Sequence, residues 1–328
     1  MARSELSFWM GMNFMLTVYL NAVSAVTVLL LLMLVGYLMG RAGWIGKSEK
    51  KFLGQYIMNV AVPCNCLVGI LNNLDRSMLA ETGMMVFSVI LSTGCCFLIG
   101  IALATLLKLP RKQWGVFVPM VGLSNCLFIG VPLTTQLFGE VCLPYVMTYY
   151  LANTMFTQSV AVMLVEYAGS VSSNRTPLQF IQGVVTKPPI VALFVSVMLL
   201  LADLRPPEVV MNFSKYISNS VSSLALIYCG YIVYELGFKN SRLQKGLPTM
   251  LLCRLVGAPV VCALFCKFFG ITGLAHDVFI VESALPVVSQ ITVMAGSYGA
   301  DDQYSATGAT LSTIGCFFTI PVLMVLLG

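Results

Sequence analysis

The stretch GLSNCLFIGVPLTTQLFG, residues 122–139, places a side-chain amide, Asn125, and a helix breaker, Gly130-Val131-Pro132, inside one apolar segment. Proline removes a backbone donor and its ring clashes with the preceding turn, while glycine tolerates the left-handed end of a helix. Gly130, Val131 and Pro132 are therefore expected to end one half-helix and start another. The freed amides of the second half then point at the gap, with roughly half a positive charge behind them. SALPVVSQ, residues 283–290, offers the same device through Leu285, Pro286 and Val287. Two such ends converging on one small volume suit an anion. One dipole end returns about 0.3–2 kcal/mol, too little to hold a buried carboxylate, whose desolvation costs far more. Two ends, retained water and side-chain amides meet that cost. Asn125 supplies one amide about two turns before Pro132, and Gln290, about one turn past Pro286, supplies its counterpart.

Glu282 lies about one turn before Pro286 inside an apolar segment. Burying its charge costs about 2.5–3.5 kcal/mol on insertion scales, so it is expected to be paired, hydrated or protonated, in a coupling or gating role. Arg254 is its expected ionic partner. Asn65, beside Pro63 in VPCNC, and Tyr149 and Asn153, in TYYLANTMFTQS, are further candidates for a polar cavity lining. For each of them hydrogen bonding between helices is the structural alternative. The single histidine, His276, is expected to be structural, and Gly36 and Gly40 form a small-residue motif expected to pack closely. No catalytic residue, metal site or cofactor is expected. A zinc protease needs a histidine pair that one histidine cannot supply, and the eleven cysteines contain no CxxC and read as small apolar filler.

The elements that must position these residues follow from composition. Of 328 residues, 58% are hydrophobic and 9% charged, against roughly a quarter charged in a soluble domain. Backbone groups in lipid must be satisfied within the chain, so long apolar blocks read as transmembrane helices. Ten spans are expected, near 17–40, 51–72, 84–108, 113–137, 143–168, 188–204, 211–236, 246–269, 275–297 and 303–327. The first is read as retained, with no signal cleavage. Twelve of the Lys and Arg residues fall after spans one, three, five and seven, including Arg41, Lys50, Arg175, Lys239 and Arg242; five, Arg3 among them, fall on the other side. The positive-inside rule then places both termini on the outer face of a cell membrane. The net charge of +5 reflects this placement and not a nucleic-acid partner. Residues 1–169 and 188–328 are expected to form two inverted repeats of five spans, each with a broken fourth span, joined by a cytoplasmic connector at 170–187.

SNCLFIGVPLTTQLFG resembles the signature of the auxin efflux carrier family: an asparagine, several apolar residues, Gly-hydrophobic-Pro-Leu and a closing Phe-Gly. VEYAG at 165–169, ALP at 284–286 and AGSYGADDQYSATGATLSTIGCFFTIPVL at 295–323 extend the resemblance through both halves. The family groups plant auxin exporters with bacterial carriers of malate or malonate, and the short connector resembles the prokaryotic members. The resemblance implies a fold like the sodium/proton antiporters and bile-acid symporters, in which two broken helices cross at paired prolines beside a scaffold. It also implies that Asn125 contacts a substrate carboxylate near Pro132 and Pro286, and that the protein is a homodimer. Glu282 departs from the plant carriers, which have a neutral residue there.

The expected function is secondary transport, in the export direction, of a small organic anion by alternating access, with proton or sodium as coupling ion. Its partners are the substrate and the lipid bilayer. The alternatives are an ion-coupled uptake symporter of another organic solute and a membrane receptor or sensor. The latter normally carries a soluble output domain, and no loop is long enough to form one.

Overall fold

The computed structural model describes residues 27–28, 30–73, 76–169, 186–236 and 244–327. The start of the expected first span, nearly all of the connector, and Arg3, Arg175, Lys239 and Arg242 lie outside the described residues. Among the described residues the chain is all helical. In order these are α1 (Leu30–Arg41), α2 (Lys47–Tyr56), α3 (Val62–Asn73), α4 (Arg76–Leu106), α5 (Arg111–Gly122), α6 (Val131–Phe138), α7 (Leu143–Phe156) and α8 (Val162–Gly169). The second half holds α9 (Pro188–Leu201), α10 (Glu208–Ser218), α11 (Ser220–Leu236), α12 (Leu247–Leu252), α13 (Ala258–Phe268), α14 (Leu274–Ser283), α15 (Gln290–Tyr298) and α16 (Asp302–Leu327).

Four continuous helical stretches, Lys47–Leu71, Gly83–Leu106, Glu208–Glu235 and Leu247–Phe268, are long and apolar enough to cross a bilayer, and the bent α16 makes a fifth. The chain is a multi-pass membrane protein. Its surface carries the side chains lipid requires, such as Leu98, Phe194, Leu264 and Phe318, all exposed. α16 bends by 47° between Cys316 and Phe318, four residues ahead of the internal Pro321, where a proline ring meets the carbonyl of the preceding turn.

Three other prolines act differently. The residues just before Pro63, Pro132 and Pro259 donate five residues back: Val62 N–H to the Ile57 carbonyl, Val131 N–H to that of Cys126, and Ala258 N–H to that of Cys253. Each makes a π turn that widens the helix just ahead of the proline and lets it run on. The helix therefore continues through Pro132.

Glycines set the closest helix contacts. A Cβ on Gly36 would lie 1.9 Å from the Ile227 carbonyl oxygen, and one on Gly230 would lie 1.8 Å from that of Met33. α1 and α11 thus meet backbone to backbone, the close packing expected of Gly36 and Gly40. α9 and α10 pack on α3, while α4 packs on α5, α7 and α13. α6 and α15 both end at a glycine of positive φ, Gly139 at 76° and Gly299 at 83°, a backbone conformation that costs glycine little.

Candidate functional site

Two interruptions meet in the interior. The first is Leu123-Ser124-Asn125, between α5 and a π turn, Cys126–Gly130, that leads into α6. The second is Ala284 to Ser289, between α14 and α15. Pro286 lies in its break as expected. The first break falls about two turns earlier than Pro132, because the π turn absorbs that proline. Gly130 has helical angles, φ −60° and ψ −58°, and Val131 begins α6. Leu285, Pro286 and Val287 form the second break itself.

Backbone taken out of a helix in an apolar interior must find partners, and the two breaks supply them to each other. Ser124 pairs with Val287 in an antiparallel bridge, and Asn125 N–H donates to the Pro286 carbonyl at 2.9 Å. Asn153 completes the pairing: its Oδ1 accepts from Ser124 N–H at 3.2 Å and its Nδ2 donates to the Ser124 carbonyl at 3.0 Å. Val287 N–H donates to Ser312 Oγ at 3.1 Å. Asn153 is thus committed to holding the first break open.

The C-terminal ends of α5 and α14 share one cation. Arg254 is wholly buried; its Nη1 donates to the Val121 carbonyl at 3.0 Å and its Nη2 to the Ser283 carbonyl. Two helix C-termini present about half a negative charge each, so one guanidinium balances both. The expected Arg254–Glu282 pair is not formed. Glu282, also wholly buried, turns its carboxyl toward Gly130, where a Cβ would lie 2.3 Å from Oε2. Among the described residues Oε2 has no hydrogen-bond partner, and Oε1 has only Thr134 Oγ1, at 3.5 Å. That hydroxyl has one hydrogen, and its 2.7 Å bond to the Gly130 carbonyl takes it.

The opposite, N-terminal ends border a polar cavity of about 30 Å³. Asn125 and Cys126 enter it from the first break, Ser289 and Gln290 from the second. Among the described residues the Asn125 amide makes no side-chain hydrogen bond. Gln158 Nε2 donates to Gln290 Oε1 at 3.3 Å, leaving Gln290 Nε2 as a buried donor and Gln158 Oε1 as a buried acceptor without partners. Asn65 lines the cavity and accepts from Ser218 Oγ at 2.9 Å. Tyr149 is not brought here; it packs on Phe279, ring centroids 6.3 Å apart, and its neighbour Tyr150 faces the cavity instead.

Sequence reasoning missed Tyr150, Thr154, Thr157 and Gln158, all of which line the cavity. Their spacing is that of one helix face, a signal present in YLANTMFTQ. Among the described residues no group of three or more His, Cys, Asp and Glu could hold a metal.

The family model described as membrane transport protein matches residues 21–177 and 178–324. An uncharacterized transporter of Methanocaldococcus jannaschii is 23% identical over 88% of this chain and 93% of its own length. One from Methanothermobacter thermautotrophicus is 23% identical over 94% of this chain and all of its own length. The mouse lysosomal cholesterol signaling protein is 24% identical over 90% of this chain, which spans only 36% of that protein. With the family model matching nearly end to end and the two transporters covered over 93% and all of their length, the chain belongs to the membrane transport protein family, that of the auxin efflux carriers, and is a membrane transporter.

Proposed function

We propose that the protein carries a small organic anion by alternating access, as a ten-span fold of two inverted repeats whose broken fourth spans cross, with the substrate carboxylate held where the breaks meet. The observation that carries this reading is the cavity between the N-terminal ends of the two second half-helices, lined by the Asn125 amide and by Gln290 Nε2, a buried donor without a partner among the described residues. Fixed positive ends and neutral amide donors suit a carboxylate, which accepts hydrogen bonds on both oxygens. Arg254 sharpens the polarity: the negative ends of α5 and α14 are neutralised by its charge, and the positive ends are left for the substrate.

A cavity of about 30 Å³ holds water and no organic acid, so this is a closed arrangement. Asn65 on α3 and Val221 and Ala225 on α11 form one wall. Moving that wall away from the breaks opens the site. At one end Lys50 bridges Glu235 on α11 and Asp302 on α16, 2.8 Å from each, and ties the wall to the helix that follows α15. The family resemblance favours export as the direction and mono- or dicarboxylates, auxin-like acids included, as the class.

Solid-supported-membrane currents and labelled flux from purified protein in liposomes, across a panel of carboxylates, test this. Saturable transport of some acids, lost in Asn125→Ala, is expected. Equal transport by Asn125→Ala, or none of any acid by folded wild type, overturns the reading.

A further inference from the structure

We propose that Glu282 is the proton-binding group of the carrier, taking up one proton each time α14 closes against α6; this rests on the carrier reading above. The carboxyl is wholly buried and lies against Gly130, in the space a side chain at that position would fill. Its one hydrogen-bonding neighbour among the described residues, Thr134, spends its hydrogen on the Gly130 carbonyl. A buried carboxylate without donors is disfavoured, and among the described residues no cluster of His, Cys, Asp or Glu gathers here to hold a metal cation in its place. A proton needs none. The step is a simple association: Glu282 carboxylate, open to one aqueous side, takes a proton from solution, becomes the neutral acid, and releases it where the site next opens.

No neighbouring charge offers another way to neutralise it. Of the groups on elements packed against α14, Cys142 is buried in the short turn after α6, Cys262 on α13 bonds the Phe279 carbonyl, and Cys316 on α16 bonds the Ala284 carbonyl. Tyr149 on α7 packs on Phe279. Cys126, in the π turn before α6, lines the cavity and accepts from Asn153 Nδ2. Of the cations among the described residues of these elements, Lys267 lies in the exposed last turn of α13, and Arg254 is spent on the Val121 and Ser283 carbonyls. On α14 itself, His276 and Asp277 bond each other at 2.8 Å. Glu166 and Asp302, by contrast, carry ion pairs with Lys187 and Lys50, so a neutral buried carboxyl at neutral pH belongs to Glu282.

Infrared spectra of the purified protein read the proton site without any substrate. A carboxylic-acid C=O band in wild type at neutral pH, absent from Glu282→Gln, is expected; carboxylate bands alone in wild type overturn the proposal. If Glu282→Gln fails to fold, the wild-type band decides by itself. In liposomes with a labelled carboxylate, wild-type flux is expected to follow an imposed pH gradient. Glu282→Gln keeps carboxylate exchange and loses that response. A gradient response unchanged in Glu282→Gln also overturns it. Should wild type carry no carboxylate, the carrier reading fails, and the infrared band still tests the proton site.

Discussion

Arg254 and Glu282 are both wholly buried charged residues beside the second break, and the fold treats them in opposite ways. The guanidinium sits where two helix C-termini end and donates to a carbonyl of each. The carboxyl sits against a glycine on a continuous helix and receives no committed donor. A buried charge matched to fixed dipoles holds structure together. One without a match is free to change its protonation as the surroundings open. The pair of asparagines repeats the lesson on a smaller scale: Asn153 is bonded twice to the backbone of Ser124, while Asn125 lines the cavity uncommitted.

Stability measurements on variants separate the two kinds of residue. The largest expected effect is that of Arg254→Met. It removes two charge-assisted hydrogen bonds of about 1.5–3 kcal/mol each, so denaturant unfolding in detergent should fall by about 3–6 kcal/mol. Glu282→Gln, which keeps shape and neutrality, is expected to change stability by less than about 1 kcal/mol. Comparable losses in both would erase the distinction. Gly130→Ala comes next. Its methyl would lie 2.3 Å from Glu282 Oε2, an overpacking worth about 1–3 kcal/mol, and Glu282→Ala in the same chain should restore part of it. A double-mutant cycle with no coupling would place the carboxyl elsewhere.

Asn153→Ala leaves the Ser124 amide and carbonyl without their partners and is expected to cost about 1–3 kcal/mol. Asn125→Ala should stay within about 0.5 kcal/mol of wild type in the same unfolding assay. Lys50→Gln removes two ion pairs at a partly exposed rim, worth about 0.2–1 kcal/mol apiece. Its signature is kinetic, a faster opening of the closed state seen as quicker solvent access to the cavity thiol of Cys126.

Much of this was legible in the residues themselves. The apolar blocks announced membrane helices, Asn125 and Pro286 fell in the two breaks, and Gly36 marked a backbone contact. The first break was misplaced, because a proline preceded by an apolar turn can be absorbed by a π turn, and no local rule separates that from a break. The true signal was the polar pair Ser124-Asn125, which needs Asn153 and Pro286, far away in sequence, to satisfy it. The partner of Arg254 was hidden for a related reason. α14 is buried on nearly every side, so apolar periodicity does not say which way Glu282 faces.

Affinity for a transported carboxylate, read from the ligand-induced rise in unfolding temperature of wild type and Asn125→Ala, tests the central claim most directly. Loss of one hydrogen bond to a charged group, about 1.5–3 kcal/mol, should weaken binding about ten- to a hundredfold while leaving the unliganded protein's stability in place. Equal affinity in the two proteins would contradict a substrate site at the meeting of the breaks.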